Sequence, residues 1–306
     1  MRAPASCLTL ALALVLPVGA GAARADADAL TDTLGPRETA VGGALRAGAT
    51  GASGVALNPA GLPLNQEMVF EGGYGYRARD AASAVSLTAC DSTVAMPGCF
   101  FYSYVDTAPE LGGAMRSRTT HTAGMSLSRM ISPQVAFGTT VKYFDHNTDV
   151  MGESDASGFT FDAGVTARAT DLMSLGLVGY NLWGERSPNF PRAIGAGALA
   201  RPTPAFALTF DALWNLDADD GSGRYGGGAE YFVLTRRGQV GYPLRAGAVH
   251  DVAGGGHTYV TGGLGLATMK LAFDVAAQRE VAGGDELLIT ASLRFFGPRV
   301  EAGAMR

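Results

Sequence analysis

Long apolar runs, cysteine, histidine and charge are all in short supply in this chain of 306 residues, and each shortage narrows what it can be. Beyond residue 25 no stretch stays apolar for the ~18 residues that mark a membrane-spanning helix, so a helical membrane protein is excluded. Charged residues make up 17% of the chain and the balance is acidic, which argues against nucleic acid, whose phosphates call for a basic surface. There are four histidines. His121 and His146 fall near expected strand ends, and His250 and His257 flank the loop 251–256 without a third well-placed ligand, so no metal site is expected. No Gly-x-Ser-x-Gly elbow and no grouping of serine, histidine and acid occurs, so neither catalytic residues nor a cofactor are expected.

The first 25 residues have a basic start at Arg2, an apolar core from Cys7 to Val18 and a small-x-small end at Ala23-Arg24-Ala25. That is the pattern of a secretory signal, with an apolar core shorter than the ~20 residues of a span. Cleavage after Ala25 removes Arg2 and Arg24 from 23 basic residues, leaving 21 against 28 acidic ones and a net charge of −7. It also removes Cys7. Cys90 and Cys99 remain, an even count on an export route that permits disulfides, and they are expected to pair.

Glycine is what the chain has in excess: 43 residues, about twice the average share, interleaved with aromatic and β-branched residues in period two. In 134–145, Val135, Phe137, Thr139, Val141 and Tyr143 fall on one face and Ala136, Gly138, Thr140 and Lys142 on the other. The same alternation recurs in 157–169, 204–215, 270–279 and 286–296. A solvated sheet face would carry long polar side chains. Here the second face is glycine, alanine, serine and threonine with single charges, which suits a confined lumen.

Fourteen such segments run from 64–77 to 286–296, an even number that brings both ends to the periplasmic side. From the fourth strand onward short turns such as 132–133 and 202–203 alternate with longer loops such as 147–156 and 216–223, as expected for periplasmic turns and outer loops. Only helices and closed barrels satisfy every backbone group in lipid, so the fold class is all-β, a transmembrane antiparallel β-barrel of about 14 strands with an N-terminal lumen plug. Tyr74, Tyr76, Tyr102, Tyr104, Tyr143, Tyr180, Trp183, Trp214, Tyr231 and Tyr259 are expected to form interfacial girdles. The organisation is then signal 1–25, plug 26–63, barrel 64–296 and tail 297–306.

Residues 36–63 break the alternation with small residues and end in Gly51-Ala52-Ser53-Gly54-Val55-Ala56-Leu57-Asn58-Pro59-Ala60-Gly61-Leu62. This run resembles the segment that closes the N-terminal hatch of the long-chain fatty-acid transporter (FadL-like) family of outer-membrane barrels, and Cys90-Asp91-Ser92 with Gly98-Cys99-Phe100-Phe101-Tyr102 is similar to the second hairpin of its PorV-like relatives. The resemblance implies fourteen strands and passive movement of hydrophobic cargo such as long-chain fatty acids, or, on the PorV-like branch, a scaffold for secretion-system proteins. Physically, Pro59 fixes φ, Gly61 permits a sharp turn and Asn58 can bond its own backbone two residues on, so Asn58, Pro59, Ala60 and Gly61 could steer the chain from lumen to wall.

Lys142, Asp162, Arg168, Asp211, Glu230, Arg245, Asp274 and Arg294 fall on the small-residue face, and both signs are present, as a wall-to-plug ion-pair network requires. The expected loops collect acids, among them Asp149, Glu153, Asp217, Asp251 and Glu280, a rim that could meet the divalent cations bridging lipopolysaccharide. Expected partners are outer-membrane lipid and lipopolysaccharide, a hydrophobic small-molecule cargo or secretion-system proteins, and no nucleic acid.

Overall fold

The computed structural model describes residues 35–297 apart from 109, 112–113, 152, 185–189, 219–222, 236–237 and 253–255. The expected signal and nearly all of the expected tail lie outside the described residues.

Fourteen strands close into a ring: β1 (Met68–Arg77), β2 (Ala82–Asp91), β3 (Gly98–Thr107), β4 (Arg118–Ser132), β5 (Val135–Thr148), β6 (Ala156–Arg168), β7 (Met173–Gly184), β8 (Ala193–Thr203), β9 (Phe206–Asn215), β10 (Gly223–Leu234), β11 (Gly241–Asp251), β12 (His257–Ala267), β13 (Leu271–Ala282) and β14 (Leu287–Phe296). Each pairs antiparallel with its sequence neighbours, and β1 closes on β14 from Val69↔Phe296 to Arg77↔Leu288. The largest departure from the sequence-derived boundaries is at β1, expected from residue 64 but starting at Met68, because Pro59–Leu64 wind into a 3-10 helix. Both ends of the barrel leave at the rim of short turns such as 133–134 and 204–205. The opposite rim carries the longer connections, including 108–117, 149–155 and 185–192.

The period-two pattern decides which side chain faces which medium. On β5, Phe137, Val141 and Tyr143 are exposed on the outer surface while Ala136, Gly138 and Thr140 are buried inside. Two expected girdle residues do not follow their group. Tyr180 and Tyr259 are buried on the lumen face, Tyr180 hydrogen-bonded to the plug and Tyr259 with the Arg224 guanidinium 6.0 Å from its ring centre. Strand parity turns them inward, and a phenol inside a polar lumen finds partners that lipid would not offer.

The segment before β1 folds as α1 (Pro36–Ala40), α2 (Ala52–Leu57) and the 3-10 helix Pro59–Leu64. Its bonds reach strands all round the ring: Arg37 to Glu230 on β10, Ala40 to Thr261 on β12, Arg46 to Asp211 on β9 and Asn58 to Thr166 on β6. It therefore lies within the lumen. The wall makes room for it with glycine. A Cβ on Gly228 would stand 2.7 Å from Val41 Cα, one on Gly247 2.7 Å from Val41 C, and one on Gly176 2.5 Å from Arg46 O, while Gly138 backs directly on Pro59 and Ala60. These are closer approaches than a side chain allows, which accounts for the position of much of the surplus glycine.

Candidate functional site

Arg46 is the hub of the plug's seat. Its backbone N–H donates to Asp211 Oδ2 (2.9 Å), its Nη1 to the same oxygen (3.1 Å), and its Nε to the Tyr180 hydroxyl (2.9 Å), which itself donates to Leu57 O (2.5 Å). One guanidinium thus ties two wall strands to both ends of the plug's turn. Asn58, fully buried, completes the seat: its Nδ2 donates to Arg46 O (3.0 Å), Val165 O (3.2 Å) and Thr166 Oγ1 (3.1 Å), and its Oδ1 accepts from Ala60 N (3.1 Å). Pro59 opens the 3-10 helix, where its missing donor costs nothing. Gly61 lies in this turn, its N–H donating to Asn58 O (3.0 Å), without a positive φ; a Cβ there would collide with the carbonyl of Ala49, so glycine is needed for its size, which lets two stretches of the plug touch.

The other lumen charges divide into two sets. Glu230 accepts from Arg37 (3.2 Å) and Arg245 (2.6 Å), Arg245 also donates to Asp274 (2.6 Å), and Asp274 accepts from Arg294, a chain of ion pairs along β10, β11, β13 and β14 that holds α1. Lys142 and Asp162 pair across β5 and β6 at 2.8 Å. Arg168 differs from the sequence-derived expectation: it is exposed at the short-turn end of β6 and has no ion pair among the described residues, because the strand runs past the plug before reaching it. Cys90 and Cys99 face each other across β2 and β3 and form a disulfide, packed with Leu62 of the plug and Val69. Arg46 and Tyr180 were missed by sequence reasoning. Arg46 lies in a run of small residues, where an isolated base is the signal that could have found it.

Beside Ala52, Val55 and Ala56 the plug stands off the wall and leaves a cavity of about 100 Å³. Gly35, Glu38, Ala52, Val55 and Ala56 form its plug side; Glu71, Thr88, Phe101, Lys142, Asp162 and Tyr180 are among its wall residues. Phe190, from the loop between β7 and β8, folds inward over it and stacks on the buried Phe144 at 4.1 Å between ring centres. The wall beside it is irregular. Between Phe161↔Trp183 and Ala163↔Gly179 the β6–β7 ladder loses register, with Asn181 at φ 51°, a conformation asparagine tolerates. Asn181 holds this bulge by donating its N–H to Asp162 Oδ1 (2.8 Å) and its Nδ2 to Pro191 O (2.9 Å), so the same residue anchors the loop that carries Phe190.

A second concavity of about 540 Å³ lies on the lipid-facing surface of β1, β2, β3 and β14, lined by Phe70, Leu87, Phe100, Leu293 and Phe295. Glu71, Thr88, Phe101 and Tyr102 border both it and the lumen cavity, so the two are separated by little more than one strand thickness of wall, thinned at Gly72 and Gly73.

At the long-loop rim many acids are paired locally: Glu153 with Arg118, Asp217 with Arg192 (2.5 Å) and Glu280 with His257 (2.5 Å). Burial tends to raise the Asp80 carboxyl, but hydrogen bonds and charge from Arg77 outweigh it and hold Asp80 below the usual carboxylate range. Glu153 behaves likewise, its partial burial outweighed by Arg118 and Thr148. Among the described residues no group of three or more histidines, cysteines and acids could hold a metal.

No family model and no curated protein matches this sequence. Solved structures do. The monoaromatic hydrocarbon channel CymD shares 14% identity over 86% of this chain and 97% of its own, with a TM-score of 0.68. The Pseudomonas putida toluene transporter TodX gives 14%, the same coverages and 0.66, and a Pseudomonas aeruginosa FadL homologue 12%, 85%, 98% and 0.64. At these identities the likeness is one of fold, and the fold of this chain is that of the FadL-type outer-membrane barrels.

Proposed function

We propose that this chain is a passive outer-membrane channel for small hydrophobic molecules, reaching the outer membrane after loss of residues 1–25, with cargo pausing in the cavity between the plug and strands β1 to β7. The observation that carries this reading is that cavity: it touches the plug, has aromatic walls in Phe101 and Phe190, and is backed through thin wall by an apolar groove open to lipid. At about 100 Å³ it is too small for a long acyl chain and lies below the about 150 Å³ of an apolar cavity that admits benzene, so a single ring is the largest cargo it suggests and enters only as the walls give. A route from the cavity into the bilayer would cross between β1 and β3, where Phe101 borders both spaces. The acidic rim would meet the divalent cations of lipopolysaccharide. A non-transporting scaffold of the PorV-like kind expects a lumen filled by packing, and the cavity weighs against it. No nucleotide-binding motif supplies energy in this sequence, and diffusion down a gradient needs none.

The test is uptake of labelled toluene and of a long-chain fatty acid by intact cells with and without this gene, where the lipopolysaccharide leaflet is the barrier. Toluene should enter and the fatty acid should not, and Phe101→Trp, which fills the cavity, should slow toluene severalfold while the barrel stays folded. Equal entry of both would remove the cavity as the resting place. Entry of neither would leave the scaffold as the better reading.

A further inference from the structure

The cavity is apolar in shape but not in charge. Of its lining residues three are acids, Glu38, Glu71 and Asp162, and one is a base, Lys142, already spent on Asp162 at 2.8 Å. Glu38 is 3% exposed and lines the cavity; among the described residues no side-chain hydrogen bond or ion pair holds its carboxylate, and the neighbouring Arg37 is bonded to Glu230 instead. Glu71 comes toward it from the wall: a Cβ on Gly35 would lie 2.8 Å from Glu38 Oε2 and 3.8 Å from Glu71 Oε1, so both carboxylates converge on one point at the cavity's edge. Glu71 has partners of its own, the Ser292 hydroxyl and the charge of Arg294, which is also bonded to Asp274, so the carboxylate left without a donor is that of Glu38. A buried carboxylate without a donor is costly to leave unmet, and it is met cheaply by a ligand that brings a cationic donor. The remaining wall suits the rest of such a ligand, because Phe101 and Phe190 line the same cavity and supply aromatic surface for an apolar body.

We infer that the unpartnered Glu38 carboxylate, with Glu71 beside it and an aromatic wall opposite, selects cargo that carries an amine: a small aromatic ammonium compound rather than a carboxylate. The inference rests on the transport reading and specifies its cargo. An anionic head would face two carboxylates in a poorly hydrated space, where like-charge repulsion is least screened.

Toluene, benzylamine and benzoate share a ring and one exocyclic carbon and differ in head charge at neutral pH, so their binding to the purified full barrel in detergent isolates the head. Benzylamine should bind about tenfold or more tightly than benzoate, a difference of about 1.4 kcal/mol. Glu38→Gln should cut the benzylamine-to-toluene affinity ratio about tenfold, Glu71→Gln should cut it less, and Asp171→Asn, in an exposed short turn, should leave it in place. Gel mobility of unheated samples confirms that each variant is folded. Toluene binding with no preference for the amine, or a ratio untouched by Glu38→Gln, overturns the inference and leaves the channel standing. Binding of none of the three overturns both.

Discussion

The two sides of the lumen solve opposite problems. At its seat, from Gly138, Gly164 and Gly176 on β5 to β7 round to Gly228 and Gly247 on β10 and β11, the plug is pressed onto bare glycine backbone and locked by Arg46–Asp211 and by the chain from Arg37 to Arg294. Toward β1–β3 and the long-loop halves of β4–β7 it presents Ala52, Val55 and Ala56 to an unfilled space with aromatic walls. The difference teaches that the plug need not move as a body for something to reside beside it. One side can hold it while the other receives cargo.

The largest test of that contrast is Arg46→Met. It leaves Asp211 buried beside an apolar chain and removes the donor to Tyr180, and should lower barrel stability by about 3–5 kcal/mol, read as the thermal midpoint in detergent. An unchanged midpoint would mean that the glycine seat alone holds the plug. Next come matched glycines. Gly228→Ala drives a methyl into Val41 and should cost about 1–3 kcal/mol. Gly75→Ala, on the lumen face of β1, meets Thr290 Cγ2 at 3.4 Å, Ala84 Cβ at 3.8 Å and Ile289 O at 4.0 Å, ordinary contact distances, and should stay within about 0.5 kcal/mol. Similar costs at both would erase the distinction between the sides. The smallest effect concerns the rim above the cavity side. Asp80 is held below its unfolded carboxyl value, so the Arg77–Asp80 clasp contributes fully at neutral pH and is lost as pH falls through the folded value, below the usual carboxylate range. Protection of the amides at 78–81, taken relative to the intrinsic exchange rate at each pH, should therefore fall on acidification in the native chain and not in Asp80→Asn.

The wall was legible because lipid is a strict solvent: residues facing it must be apolar and their neighbours must not, so Phe137, Val141 and Tyr143 announce both strand and side. The lumen was legible only in type. Parity placed Asp211, Glu230, Arg245 and Asp274 inside, but their partners Arg37 and Arg46 come from a segment without periodicity, and no local rule predicts where a loop crosses a barrel. Tyr180 was misassigned to a girdle because proximity to a strand end says nothing of facing: it shares the inward parity of Gly176 and Val178. The cavity was invisible, since it is the space left between two elements that never adjoin in sequence.

The glycine seat has an evolutionary corollary. Where the wall meets the plug through backbone at Gly138, Gly176, Gly228 and Gly247, it reads the path of the plug's main chain and not its side chains. Substitution should then be tolerated unequally on the two partners: the plug can drift among small residues while keeping its place, whereas a single added carbon on the wall evicts it. Descendants of such a barrel would diversify from the inside out, changing what the pore accepts long before changing how it stands in the membrane.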